Sequence, residues 1–152
     1  MDVKIINPFM EAFLNVMPVY GFEDLSKGKL SVKDRIIICN GVILVVGIIG
    51  EVKGSVVYNI SIEDAKKIAS GMMMGEPVTE LDQIAKSAIS ELSNMLSANA
   101  SIGLTQIGYE VDISTPTFMQ GNNVKVTMST EKVLCVQVLV NDCIIDINIS
   151  VS

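Results

Sequence analysis

Apolar positions change their period along this chain in an ordered way. Ile6, Phe9, Met10, Phe13, Leu14 and Met17 recur at helical spacing until Pro18 and Gly21 stop the pattern, which predicts a short amphipathic helix. A Lys/Gly/Ser segment at 26–33 reads as a loop. Beyond it, β-branched runs at 35–39 and 42–49 flank Asn40-Gly41, a dipeptide suited to a type I′ hairpin turn, and a further strand at 55–60 follows a turn at 50–54. Ser61 then places a capping hydroxyl before Glu63 and Asp64, predicting a second helix that reaches Met72-Met73-Met74. Gly75 and Pro77 break it. Thr79 opens the longest periodic segment, in which Leu81, Ile84, Ala85, Ala88, Ile89, Leu92, Met95 and Leu96 form one stripe. From Tyr109 onward the period is two, through Val124, Val126 and Met128, then Val136, Val138 and Val140, then Ile145, Ile147, Ile149 and Val151. Gly121-Asn122-Asn123, Glu131-Lys132 and Asn141-Asp142 read as the intervening turns. The order of elements predicts an α+β fold, an antiparallel sheet with amphipathic helices packed on it.

A chain of 152 residues that is 49% hydrophobic, with mean hydropathy +0.49, has the size and apolar content of one domain, here 1–152, with a substantial core. Its net charge of −6 argues against nucleic acid, whose phosphates need a basic face. The absence of histidine removes imidazole base chemistry, serine or cysteine triads that use it, and the commonest zinc sites. Carboxylates, amides, hydroxyls or thiols must then carry any catalysis. Cys39, Cys135 and Cys143 lie in or beside apolar strand-like runs without C-x-x-C spacing, so buried, reduced thiols and a cytoplasmic location are expected. The segment from Met1 to Pro8 has no export-signal pattern, and the densest apolar stretch, 36–50, is interrupted by glycines and too short to cross a bilayer. No membrane partner is expected.

The polar side of the third predicted helix carries the chemistry. At 100° per residue, Ser87, Glu91, Asn94 and Ala98 fall within an arc of about 60°, so a carboxylate and a carboxamide share one strip away from the apolar stripe. Ser90, Ser93 and Ser97 read as small neighbours on that side, where a solvated helix would more often carry Lys, Glu or Gln. Small residues let another protein approach closely. Other features read as structural: the methionine run as packing, Gly47, Gly50 and Gly54 as turn and strand-crossing glycines outside any phosphate-loop pattern, and Asp82, Asp112 and Asp146 as solvated or capping residues.

The run from Ser87 to Asn94, with Ser87, Glu91 and Asn94 in place and Pro116 downstream, resembles the signature of the CheC/CheX/FliY chemotaxis phosphatases. The runs 46–50, 54–58, 72–75 and 112–117 extend the resemblance toward the CheX branch over nearly the whole chain. Relatives of the CheC type carry the Glu/Asn pair on two helices, whereas the first helix here offers Glu11 and Asn15, four apart, so one site per subunit is expected. Ser93 departs from the Gly or Ala usual between Glu and Asn; its hydroxyl is expected to be tolerated if it faces outward.

The resemblance implies a CheX-like fold and removal of phosphate from the aspartyl phosphate of a CheY-type response regulator. It assigns the catalytic roles to Glu91 and Asn94, with Ser87, Ser90 and Ala98 against the partner. Mg²⁺, the phospho-aspartate and a lysine are placed on the regulator, leaving no cofactor on this chain, and the chain is expected to form a homodimer. A carboxamide can hold a water in line without adding negative charge beside a phosphoryl group, as the glutamine of GTPases does. The alternative is a non-catalytic CheX-like module that binds a receiver domain or flagellar-switch protein.

Overall fold

In a computed structural model, which describes residues 3–152, five antiparallel strands carry three helices. Met1 and Asp2, part of the segment read for an export signal, lie outside the described residues. Helix α1 spans Ile6–Val16 and passes into a 3-10 turn at Met17–Tyr20, which Gly21 closes in the left-handed conformation. Helix α2 spans Ile62–Met72, with the Ser61 hydroxyl accepting from the Asp64 backbone N–H at 3.1 Å. Helix α3, Gln83–Gln106, begins later than the periodicity suggests. Asp82, rather than Thr79, is its cap, because its carboxylate accepts from the Ala85 N–H at 2.9 Å and satisfies an otherwise orphaned donor.

The strands differ most from expectation. Strand β1 runs without a break through Leu25–Gly50 and β4 through Thr117–Val140. The loop expected at 26–33, the hairpin at Asn40-Gly41 and the turns at 121–123 and 131–132 are all absorbed into these two strands. They survive as irregularities where the β1/β4 register shifts, between Lys27 and Leu30, Asp34 and Ile36, and Cys39 and Gly41. A hairpin at Asn40-Gly41 would pair its two flanks with each other. Instead Ile36–Cys39 pairs with β4, while Val42–Ile48 pairs with β2, Gly54–Ile60. Asn59 fastens the irregularity by donating to the carbonyls of Asn40 and Val42, and the Asn40 side chain accepts from the Asn123 N–H at 2.8 Å. Of the expected late turns, 141–142 remains a turn, leading into β5, Cys143–Val151.

The strand order is β2-β5-β4-β1-β3, with β3 at Val111–Ile113, and β2 also pairs with β1, so β1, β2, β5 and β4 close on one another. Period two then separates two cores. Val42, Leu44, Val46, Tyr58, Val136, Val138, Ile145 and Ile147 face the helices, while Ile37, Cys39, Ile43, Val57, Met128 and Val133 form a smaller cluster apart from them. All three cysteines are buried and unpaired. Burial raises the Cys39 and Cys135 thiols, and pushes the Cys143 thiol up to about 12, which keeps them protonated near neutral pH. Of the methionine run, Met72 packs against the core, whereas Met74 points into solvent. Asp146 is half-buried rather than solvated, and Asp112 is exposed.

Gly41 shows how tightly β1 and β2 approach. Its φ is +93°, and a Cβ there would lie 2.5 Å from the Ile60 carbonyl oxygen. Gly41→Ala is therefore expected to destabilise the fold by about 2 kcal/mol, against roughly 1 kcal/mol for Gly75→Ala, whose φ is also positive but whose surroundings are open. Denaturant midpoints of the two variants measure the difference.

Candidate active site on helix α3

The inner face of α3 is buried through Ala85, Ile89, Leu92, Leu96, Ala100 and Leu104. Two serines share that face. Ser93 and Ser97 are only 1% and 2% exposed, so neither belongs to the outer strip. The Ser93 hydroxyl donates to the Ser90 carbonyl one turn back at 2.9 Å, which satisfies it within the helix and leaves the outer surface free of it. The Ser97 hydroxyl pairs with the Tyr58 hydroxyl at 3.0 Å beneath the helix, where burial pushes the phenol well above its ordinary pKa. The Tyr20 hydroxyl meets the Met95 sulfur at 3.3 Å, and Asn15 of α1 donates to Asn99 at 3.0 Å. Asn15 is thus spent on helix packing, as befits a first helix without a second Glu/Asn pair.

With the inner face held, Ser87, Ser90, Glu91 and Asn94 face outward along one side of a cleft of about 530 Å³. Ser87 and Glu91 are exposed, and Asn94 is half-buried. The opposite wall is Thr115 and Pro116, from the segment joining β3 to β4, and Phe118 at the start of β4. Ser114 holds that wall against the sheet: its hydroxyl accepts from the Gly47 N–H at 2.8 Å and donates to the Thr115 carbonyl at 3.0 Å, and its own N–H donates to the Gly47 carbonyl at 2.9 Å. Pro116, far from Asn94 in sequence, is thereby brought beside it.

Ala98 is exposed on α3 but lies outside the cleft. Gln83 and Lys86 line the cleft and escaped the sequence reading, although their spacing of four from Ser87 and Ser90 marks them as neighbours on a helix. Thr115 and Phe118 carried no such signal, because a tertiary contact brings them in. Among the described residues, no three His, Cys, Asp or Glu side chains gather to hold a metal ion. What the cleft offers is one carboxylate, two carboxamides, three hydroxyls and one ammonium, a set able to orient water and to dock an anion.

Residues 42–139 match the family described as chemotaxis phosphatase CheX. The chain belongs to that family. It is 36% identical over 127 residues to the CheY-P phosphatase CheX of Thermotoga maritima, covering 83% of this chain and 81% of that one. A CheC-like superfamily protein from Shewanella sp. PV-4 superposes with a TM-score of 0.86 at 26% identity, over 100% of this chain and 99% of its own. The CheX-CheY-BeF3-Mg²⁺ complex from Borrelia burgdorferi gives a TM-score of 0.81 at 27% identity, with 99% of each chain covered. The fold expected of the CheX family is therefore the fold observed.

Because the Tyr58–Ser97 pair is buried, removing one hydroxyl strands the other. Ser97→Ala is expected to lower unfolding free energy by roughly 1–3 kcal/mol, whereas combining Ser97→Ala with Tyr58→Phe recovers part of that loss. Urea unfolding of the two single variants and the double variant gives the coupling.

Proposed function

We propose that this chain dephosphorylates the aspartyl phosphate of a CheY-type response regulator, with Asn94 orienting the attacking water and Glu91 anchoring the regulator. One observation carries the reading: Glu91 and Asn94 face a common open cleft from a helix whose inner face is fully engaged, in a chain 36% identical to a protein named CheY-P phosphatase. The Borrelia burgdorferi relative, bound to a CheY in the presence of BeF3 and Mg²⁺, supports a CheY-type partner. Mg²⁺ is assigned to the regulator's side of the complex, where it neutralises phosphoryl charge. A cytoplasmic location accords with that partner. No described helix is long and apolar enough to cross a membrane.

The reaction asks little chemistry of this chain. Water attacks phosphorus opposite the aspartyl oxygen, the oxygen–phosphorus bond breaks, and aspartate and inorganic phosphate leave. The Asn94 amide oxygen accepts from the water while its N–H donates toward the attacked group, so the water is held in line without added charge. Glu91 lies three residues earlier, about 4.5 Å along the helix axis, and is placed to pair with a cation of the regulator. Ser87 and Ser90 keep the strip low enough for close docking.

Asn94→Ala is expected to lower regulator dephosphorylation by roughly 100-fold or more without loss of fold, and Glu91→Ala to weaken the complex as well as the rate. Asn94→Asp separates orientation from base catalysis. A carboxylate is a far better base than an amide, but it loses the N–H donor and repels the phosphoryl group, so the Asp variant should be as slow as the Ala variant. Single-turnover loss of phosphate from a receiver domain charged with acetyl phosphate is the measurement. Unchanged rates in the Glu91 and Asn94 variants would favour a non-catalytic binding module.

The same reading includes a homodimer. Val32, Ile36 and Ile38 on β1 are 62%, 57% and 58% exposed, an apolar row on a long strand that a second copy can cover. Sedimentation should give about twice the 16.4 kDa chain mass, and Ile36→Lys with Ile38→Lys should shift it to the monomer.

A further inference from the structure

We infer that Lys86 is the docking cation of this cleft, drawing the anionic face of a phosphorylated receiver domain onto the α3 strip and setting how it seats, without touching the phosphoryl group during hydrolysis. The inference rests on the phosphatase reading above.

Charge is scarce at the cleft. Of its lining residues, Lys86 and Glu91 alone are ionisable, and Lys86 is the sole cation. The chain as a whole carries −6, so a partner bearing a phosphoryl group meets net repulsion unless local charge reverses it. At physiological ionic strength the screening length is about 8 Å, so the charge nearest the mouth outweighs distant ones. Lys86 makes no ion pair among the described residues, whose ion pairs are Lys66 with Glu63, Lys67 with Asp142 and Lys132 with Asp34. The nearest acid on its own helix is the cap Asp82, one turn earlier, whose carboxylate is engaged with the Ala85 N–H. The Lys86 charge therefore remains available to a partner.

Its position is also restrained. The Lys86 ammonium stands 6.0 Å from the centroid of the Phe118 ring on the opposite wall, at the edge of cation–π range, and the residue is half-buried. The charge is thus held across the mouth between α3 and β4. Along α3, Lys86 precedes Asn94 by eight residues, about 12 Å of helix rise. Side chains on a helix lean toward its N-terminus, which carries the Lys86 ammonium away from Asn94, so Lys86 acts on encounter and seating and not on the bond that breaks. Rim charges of this kind alter association rate and its salt dependence.

The test is steady-state dephosphorylation of a receiver domain charged with acetyl phosphate, for wild type, Lys86→Gln, Lys86→Glu and Lys86→Arg, at low and high ionic strength. At low salt, kcat/KM should fall roughly 3- to 10-fold for Lys86→Gln and further for Lys86→Glu, with kcat within about 2-fold of wild type and Lys86→Arg close to wild type. High salt should bring the four proteins together. Equal kcat/KM across the variants at low salt overturns the inference while leaving the phosphatase reading intact, as does a deficit confined to kcat that persists at high salt. A wild-type chain that leaves the receiver's phosphate lifetime unchanged overturns both.

Discussion

The outward direction of Glu91 and Asn94 depends on the burial of the opposite side of α3. Ile89, Leu92, Leu96 and Leu104 are buried in the core that the sheet and the helices share, each stabilising the packed state by roughly 1.5–3 kcal/mol relative to exposure. Turning the helix by one residue, about 100°, would expose them and bury Glu91. The buried Ser97–Tyr58 pair adds a directional contact to this non-directional packing, since a rotation or slide would leave both hydroxyls without partners. A rigid scaffold under a helix is what an orienting residue needs, because in-line geometry tolerates little displacement.

The other wall depends on the sheet. Strand β1 passes beneath the cleft and, through Gly47, accepts and donates the hydrogen bonds that hold Ser114. The 114–118 segment then brings Pro116 and Phe118 opposite α3. The cleft is thus formed by two elements far apart in sequence and both tied to the same sheet, so its width is set by the core rather than by loop conformation. The serines complete the arrangement in two ways: Ser87 and Ser90 stay small at the surface, while Ser93 and Ser97 turn inward and satisfy themselves there.

Electrostatics follow the same economy. The visible ion pairs, such as Lys132 with Asp34 at 2.8 Å, lie on exposed side chains and add little stability. Cohesion rests on the apolar core, and the charges of the cleft are left for a partner. On the docking role inferred for Lys86, an acidic chain with a single cation lining its cleft would select a partner by local field, not by overall charge.

Most of each helix was legible in the sequence, because amphipathic period and capping chemistry are local: the Ala85, Ile89, Leu92 and Leu96 stripe of α3, the Ser61 cap and the stop at Gly21 all act within a few residues, whereas the start of α3 at Asp82 instead of Thr79 and the exposure of Ile84 were not. The Glu91/Asn94 strip followed from that period alone, and its spacing also carried the family resemblance. The length of the strands was not legible. Asn40-Gly41 and Gly121-Asn122-Asn123 carry turn chemistry, yet β2 and β4 override the local hairpin with longer pairings, and the turn residues became irregularities fixed by Asn59 and Asn40. The inward side of Ser93 and Ser97 was already in the period, since Ser93 follows Ile89 by four and precedes Leu96 by three and Ser97 follows Ser93 by four, but only the tertiary structure supplies the Tyr58 hydroxyl that Ser97 meets there. The cleft itself required tertiary structure, because Thr115, Pro116 and Phe118 reach α3 only after β1 has fixed the 114–118 segment, a contact that no local period encodes.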